Sequence, residues 1–244
     1  MRSFLRILSD ILIIALVVVM AYSGYQLYLM LSEYHESDVT YQESANTYSK
    51  PTDDAEKCPI TVDFDELTAV NPDVVGWIYC EDSQVNYPVL HAEDNDKYLH
   101  MMYNGEYNKA GSIFMDCANN PDLSDLNTLI YGHHMKNGSM FAMLHEYRSQ
   151  EFYEGHKVFW YLTPVNTYKL YPIAGYVGDS VAEVYSHFTE PEQLDSYLAF
   201  AFSHSDFQAD YIPKVIDRIV VLSTCAYEFE DARYVVICVP ELFE

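Results

Sequence analysis

Apolar residues fall mostly in short runs, rich in β-branched and aromatic side chains and bounded by Gly, Asn, Asp or Pro. Such runs predict strands. Eight are legible: 74–80, 84–90, 111–117, 127–133, 157–163, 167–177, 217–225 and 233–239. A count of eight points to a closed barrel or a sandwich. Two segments switch to helical spacing. In 138–156, Met140, Met143, Leu144 and Tyr147 stand at i, i+3, i+4 and i+7; in 190–207, Leu194, Leu198, Ala201 and Phe202 share one face, with Thr189 as the expected cap. The methionines read as core filler. A shorter helix is expected within 61–70, capped by Asp63 or Thr61.

The N-terminus follows another pattern. Ile11 to Leu31 is an uncharged stretch of 21 residues, about 30 Å as a helix and enough to cross a bilayer core. Arg2 and Arg6 precede it, and Glu33, Glu36 and Asp38 follow it. That asymmetry predicts an N-terminus inside and the remainder outside the cell. The competing reading is a cleaved signal peptide, since Ala21-Tyr22-Ser23 offers a small-x-small site; the apolar stretch runs past it, which favours an uncleaved anchor. Residues 33–60 are polar, hold two prolines and read as a spacer or partly helical stalk. The expected organisation is a cytoplasmic tip and anchor over 1–32, an extracellular spacer over 33–60, and one folded domain over 61–244.

Half of the 244 residues are apolar and 15% are aromatic, so the domain can bury a core. The net charge of -24 repels nucleic acid and anionic lipid, and reads as a solvated acidic surface. No D-x-D-x-D-G calcium loop occurs. The five cysteines are Cys58, Cys80, Cys117, Cys225 and Cys238, and no C-x-x-C occurs. A zinc knuckle or redox pair is therefore not expected, and no metal or organic cofactor is assigned. Cys80 and Cys117 lie on strands expected to be neighbours, and are read as free thiols.

The chemistry lies in "VLSTCAYEFEDARYVV", 220–235. If 217–225 and 233–239 pair antiparallel, Cys225 shares a face with Ser223 and Val221, and Arg233 with Val235 and Ile237. Across the loop 226–232, thiol and guanidinium then meet at one rim. A nearby cation favours the thiolate nucleophile, and a guanidinium can bind a developing oxyanion. A histidine would move protons. The candidate is His133 in "NTLIYGHHMKNGSMF", where Gly132 allows a tight turn at the rim. His134 is the alternative; the two face opposite ways if the strand continues.

"LSTC" with an arginine eight residues after the cysteine resembles the sortase signature, in which the arginine pairs with the cysteine strand. Here Val221-Leu222 stands where that family more often has Thr-Leu. "NTLIYGHHM" with "GSMF" is similar to its histidine segment. "NPDVVGWIYCEDSQVNYPVLHAEDNDKYL", "KAGSIFMD" and the helix before the last two strands resemble class B sortases. The resemblance covers about residues 66–239.

It implies a mainly β, eight-stranded barrel with an N-terminal helix and an additional helix before the last two strands, in a membrane-anchored cysteine transpeptidase of a Gram-positive surface. It also implies Cys225, His133 and Arg233 as catalytic residues. Leu222, Ser223 and Thr224 are candidate substrate contacts, and 188–212 is a candidate groove wall. The substrate implied is a secreted protein with a C-terminal pentapeptide of the LPXTG or NPXTX type, joined through a thioester to an amine of peptidoglycan or its precursor. A pilin-polymerising enzyme using a pilin lysine, a surface cysteine peptidase and an inactive barrel acting as a binding module are the alternatives.

Overall fold

The computed structural model describes residues 2–52, 57–179, 188–226 and 231–243. The chain divides into two units, Met1–Thr40 and Tyr41–Glu244. The first is made by helix α1 (Arg2–Tyr48) up to Thr40. It is long and apolar enough to cross a membrane, and its apolar side chains are open: Ile11, Ile14, Val18 and Met20 are 59–70% exposed.

The second unit begins with the last turns of α1. Tyr41 is buried there, and its hydroxyl donates to the Gly111 carbonyl at 2.5 Å. The stretch read as a spacer is thus helical to Tyr48. It continues in β1 (Ser49–Pro51), which pairs antiparallel with β2 (Ile60–Val62). Residues 53–56 of that stretch lie outside the described residues. Helix α2 (Phe64–Val70) follows; the Asp63 carboxylate accepts from the Glu66 N–H at 3.1 Å, so Asp63 is the cap and Thr61 belongs to β2.

All eight expected strands form, most of them shorter at their ends: β3 (Val74–Tyr79), β4 (Asn86–Leu90), β5 (Ile113–Met115), β6 (Asn127–Tyr131), β7 (Phe159–Leu162), β8 (Thr167–Asp179), β9 (Ile219–Cys225) and β10 (Ala232–Leu242). They close a barrel in the order β10-β8-β7-β3-β4-β5-β6-β9. Closure leaves no unpaired edge. Two neighbouring pairs, β4/β5 and β6/β9, are parallel; the others are antiparallel.

The two expected helices are corrected in detail. Over 138–156 the chain makes a 3-10 turn (Ala142–Arg148) and then α3 (Gln150–Gly155), because Ser149 between them is extended. Met140, Met143, Leu144 and Tyr147 are still buried. Helix α4 (Pro191–His204) is capped by Glu190 rather than Thr189: the Glu190 side chain accepts from the backbone of Gln193, whose own side chain accepts from the Glu190 N–H at 3.1 Å. Phe202 is 41% exposed, and Tyr197 takes its place on the buried face beside Leu194, Leu198 and Ala201. That face packs on Leu129, Val221, Val235 and Ile237 of β6, β9 and β10. Each large apolar side chain so buried is worth about 1.5–3 kcal/mol. None of the five cysteines is in a disulfide; Cys80 and Cys238 are buried, while Cys117 is half-buried.

Candidate active site

Strand direction builds the site. Parallel strands end at the same edge of a sheet, and β6 and β9 are parallel with Tyr131 level with Ser223. The Gly132 N–H donates to the Ser223 carbonyl at 3.0 Å, which extends the ladder past the end of β6. His133 therefore arrives at the rim where β9 ends in Cys225. Strand β10 returns antiparallel and sets Arg233 directly opposite Cys225. The loop is shorter than expected, because Ala232 already belongs to β10 and its carbonyl accepts from the Ala226 N–H at 2.8 Å. Residues 227–230 of that loop lie outside the described residues.

Cys225, His133 and Arg233 line one cleft of about 210 Å³. All three are half-buried. Ser223 and Thr224 line the cleft too, whereas Leu222 is fully buried and does not. Alternation puts Cys225 and Ser223 on the face of Val221; Thr224 shares the face of Leu222 but lies nearer the rim, where it reaches the cleft, while Leu222 stays deeper in the barrel. No described residue of 188–212 lines the cleft; α4 packs further along the same sheet face.

The His133 Nε2–H donates to the Leu99 carbonyl at 2.8 Å. A carbonyl only accepts, so this bond fixes the tautomer and leaves Nδ1 as the basic nitrogen. Burial lowers the His133 pKa below its ordinary value. The neighbouring His100 and Arg233 push the same way, and the Leu99 bond opposes them. His100 lies parallel to His133, with ring centroids 5.9 Å apart. Burial and these neighbours favour the neutral imidazole. The Arg233 guanidinium donates to the Ala232 carbonyl at 3.1 Å.

His134 takes another direction. Its Nδ1 donates to the Cys225 carbonyl at 3.1 Å, and its ring lies 4.4 Å from His145. It lines a separate cavity with Gln84, Met143 and His156. Gly132 between Tyr131 and His133 serves close packing, not a left-handed turn. A Cβ there would lie 2.4 Å from Ile113 Cδ1 and 2.7 Å from the Phe141 ring.

A further wall of the cleft had no signal in the chain's local patterns. Asn95, Asp96, Leu99, Phe114 and Tyr131 also line it. The first three belong to a loop and a 3-10 turn (Lys97–Leu99) started by Asp94, whose carboxylate accepts from the N–H groups of Asp96 and Lys97. "DNDKYL" signals that turn, but nothing in it signals proximity to residue 133. Among the described residues, no group of three or more His, Cys, Asp or Glu could hold a metal ion.

Comparison with known proteins matches residues 78–241 to the sortase domain family. The sortase B of Listeria monocytogenes is 32% identical over 89% of this chain and 90% of its own length. The Staphylococcus aureus sortase B–substrate complex superposes with a TM-score of 0.74 at 27% identity, covering 87% of this chain and 100% of that one. A sortase B complexed with triglycine gives 0.70 at 33% identity, over 74% and 86%. A rim cysteine with an arginine opposite it and a tautomer-fixed histidine in the same cleft, on a closed eight-stranded barrel that carries this match across two thirds of its length, place the chain in the sortase family, as a cysteine transpeptidase of class B.

Proposed function

We propose that the protein cuts a C-terminal sorting pentapeptide of LPXTG or NPXTX type in secreted proteins and joins the new carboxyl end to an amine of peptidoglycan or its precursor. Cys225 attacks the carbonyl of the threonine-like residue. His133 Nδ1 takes the Sγ proton as the bond forms, the C–N bond breaks with that proton passing from His133 to the leaving amine, and a thioester forms on Sγ. The acceptor amine attacks the thioester, His133 takes its proton, and the thiolate leaves and recovers that proton from His133. Arg233 donates to the carbonyl oxygen as negative charge develops in both steps. Ser223 and Thr224 are the proposed substrate contacts in the cleft, and Leu222, proposed with them, supports them from the barrel interior.

The observation that carries this reading is the convergence of Cys225, His133 and Arg233 on one cleft, with Cys225 and Arg233 as cross-strand partners. The relatives solved with substrate and with triglycine support a peptide donor and an amine acceptor. No step requires a metal or organic cofactor. Residues 1–32 would be the cytoplasmic tip and anchor, 33–60 the link and 61–244 the catalytic domain outside the cell, since Arg2 and Arg6 precede the apolar run and acidic residues follow it. Anchoring in the plane of a lipid-linked acceptor raises effective concentration.

The test is intact mass spectrometry of the full-length protein in detergent, incubated with a panel of sorting pentapeptides with and without a triglycine amine. An adduct on Cys225 that is absent in Cys225→Ala, together with an amine-joined product, is expected. An adduct that only hydrolyses points to a peptidase. A thiol that forms no adduct and resists alkylation points to a binding module and overturns the reading.

A further inference from the structure

Among the described residues, the mechanism leaves one buried carboxylate unused. Asp116 follows β5 and is only 6% exposed. Its Oδ2 accepts from Asn95 Nδ2 at 2.9 Å and from the Tyr131 hydroxyl at 2.7 Å, and its Oδ1 accepts from the Ala118 N–H at 3.0 Å. The next residue, Cys117, donates its N–H to Asn95 Oδ1 at 2.8 Å. A carboxylate this deep is costly unless donors converge on it, as these do.

The side chains of Asn95 and Tyr131 both line the cleft. Asn95 starts the segment that ends at Leu99, whose carbonyl fixes the His133 tautomer. Tyr131 ends β6, two residues before His133. Two of the routes by which the fold reaches His133 therefore meet at Asp116. The Tyr131 hydroxyl donates inward to Asp116, which fixes its orientation at the cleft. With Asn95 Oδ1 engaged by Cys117, the orientation of the Asn95 amide is fixed as well.

We infer that Asp116 is a positioning residue of the transpeptidase: it ties Asn95 and Tyr131 to the barrel and, through the 95–99 segment, holds His133 in register with Cys225. The inference rests on the transpeptidase reading of this cleft. It concerns a residue that touches neither thiol nor substrate.

The test uses full-length protein in detergent with Asp116→Asn, Tyr131→Phe and the double variant. One readout is kcat and KM on the best pentapeptide. The other is the pH–rate profile for alkylation of Cys225 by iodoacetamide, which needs no peptide. For Asp116→Asn, kcat/KM is expected to fall about tenfold or more, mainly through kcat, since a hydrogen bond to a charged group is lost. The alkylation profile is expected to move by about half a pH unit, because His133 shifts relative to the thiol. The double variant is expected to match Asp116→Asn within about threefold, as two halves of one link do.

Wild-type kinetics and profile in Asp116→Asn, or losses that multiply in the double variant, overturn the inference. If Asp116→Asn does not fold, Tyr131→Phe cuts the link from its other side, and an unchanged kcat and profile there overturn it equally. If the wild-type chain turns over no pentapeptide, the transpeptidase reading fails, while the alkylation profiles still decide the role of Asp116.

Discussion

Cys225 and Arg233 are direct cross-strand partners on the antiparallel pair β9/β10, so the thiol and the guanidinium leave the sheet on one face at one rim. Facing residues in such a pair have Cβ atoms about 4.5–5.5 Å apart. The register of the β9/β10 ladder fixes this spacing.

Arg233→Ala is expected to lower kcat/KM by about 10²–10³, the usual cost of losing an oxyanion donor. Arg233→Lys should recover little, because an ammonium cannot reproduce the planar fork at the same position. Steady-state assays with pentapeptide and triglycine measure both. A lysine variant as active as wild type would show that only the charge matters.

The two adjacent histidines separate cleanly. His133→Gln is expected to lose about 10²–10⁴ in kcat, the range for a general acid–base. His134→Gln loses one hydrogen bond to the Cys225 carbonyl, worth about 1 kcal/mol, and should keep activity within about tenfold. Single-turnover acylation of both variants decides the assignment, and equal losses would contradict it.

Burial holds the His133 pKa below the ordinary 6.5. The unfolded chain therefore binds more protons than the folded one in the window below that value. Stability should fall as pH drops from about 6.5 toward the folded pKa, and level off beneath it. Glutamine at 133 cannot titrate, so His133→Gln should show a shallower fall in Tm between neutral pH and about pH 5. Parallel melting curves of the two proteins would reveal this, and identical slopes would argue against a depressed pKa.

Gly111 has φ +55°, and a Cβ there would lie 2.4 Å from the Leu99 carbonyl oxygen. That oxygen holds His133. Gly111→Ala is expected to cost about 1–3 kcal/mol of stability through backbone strain and overpacking. It should also lower kcat, since the clash displaces the histidine's anchor. Gly132→Ala meets the Ile113 and Phe141 side chains instead, with a similar stability cost of about 1–3 kcal/mol. Denaturant midpoints and kcat measured together distinguish the two: activity per folded molecule should fall further in Gly111→Ala.

Much of this protein was legible in its residues. The uncharged run from Ile11 to Leu31 specifies an exposed apolar helix by length alone. The β-branched and aromatic runs specify eight strands, and alternation within 217–225 and 233–239 puts Cys225 and Arg233 on one face because pairing is local. Local chemistry also fixes the cap at Asp63. The cap of α4 lies one position past the expected Thr189: Thr189 and Glu190 both reach Gln193, but Pro191 opens the helix and Gln193 stands three residues after Glu190.

Tertiary structure decided the rest. That β6 lies beside β9 and runs parallel to it follows from barrel closure across some ninety residues of intervening chain. Periodicity describes the faces of one element and carries no information on which distant element it will meet. The same closure brings Leu99 under His133, and Asn95 and Tyr131 onto Asp116. The residues that hold the histidine in place were thus invisible until the sheet was closed, whereas those expected to carry the chemistry could be named from their own neighbours in sequence.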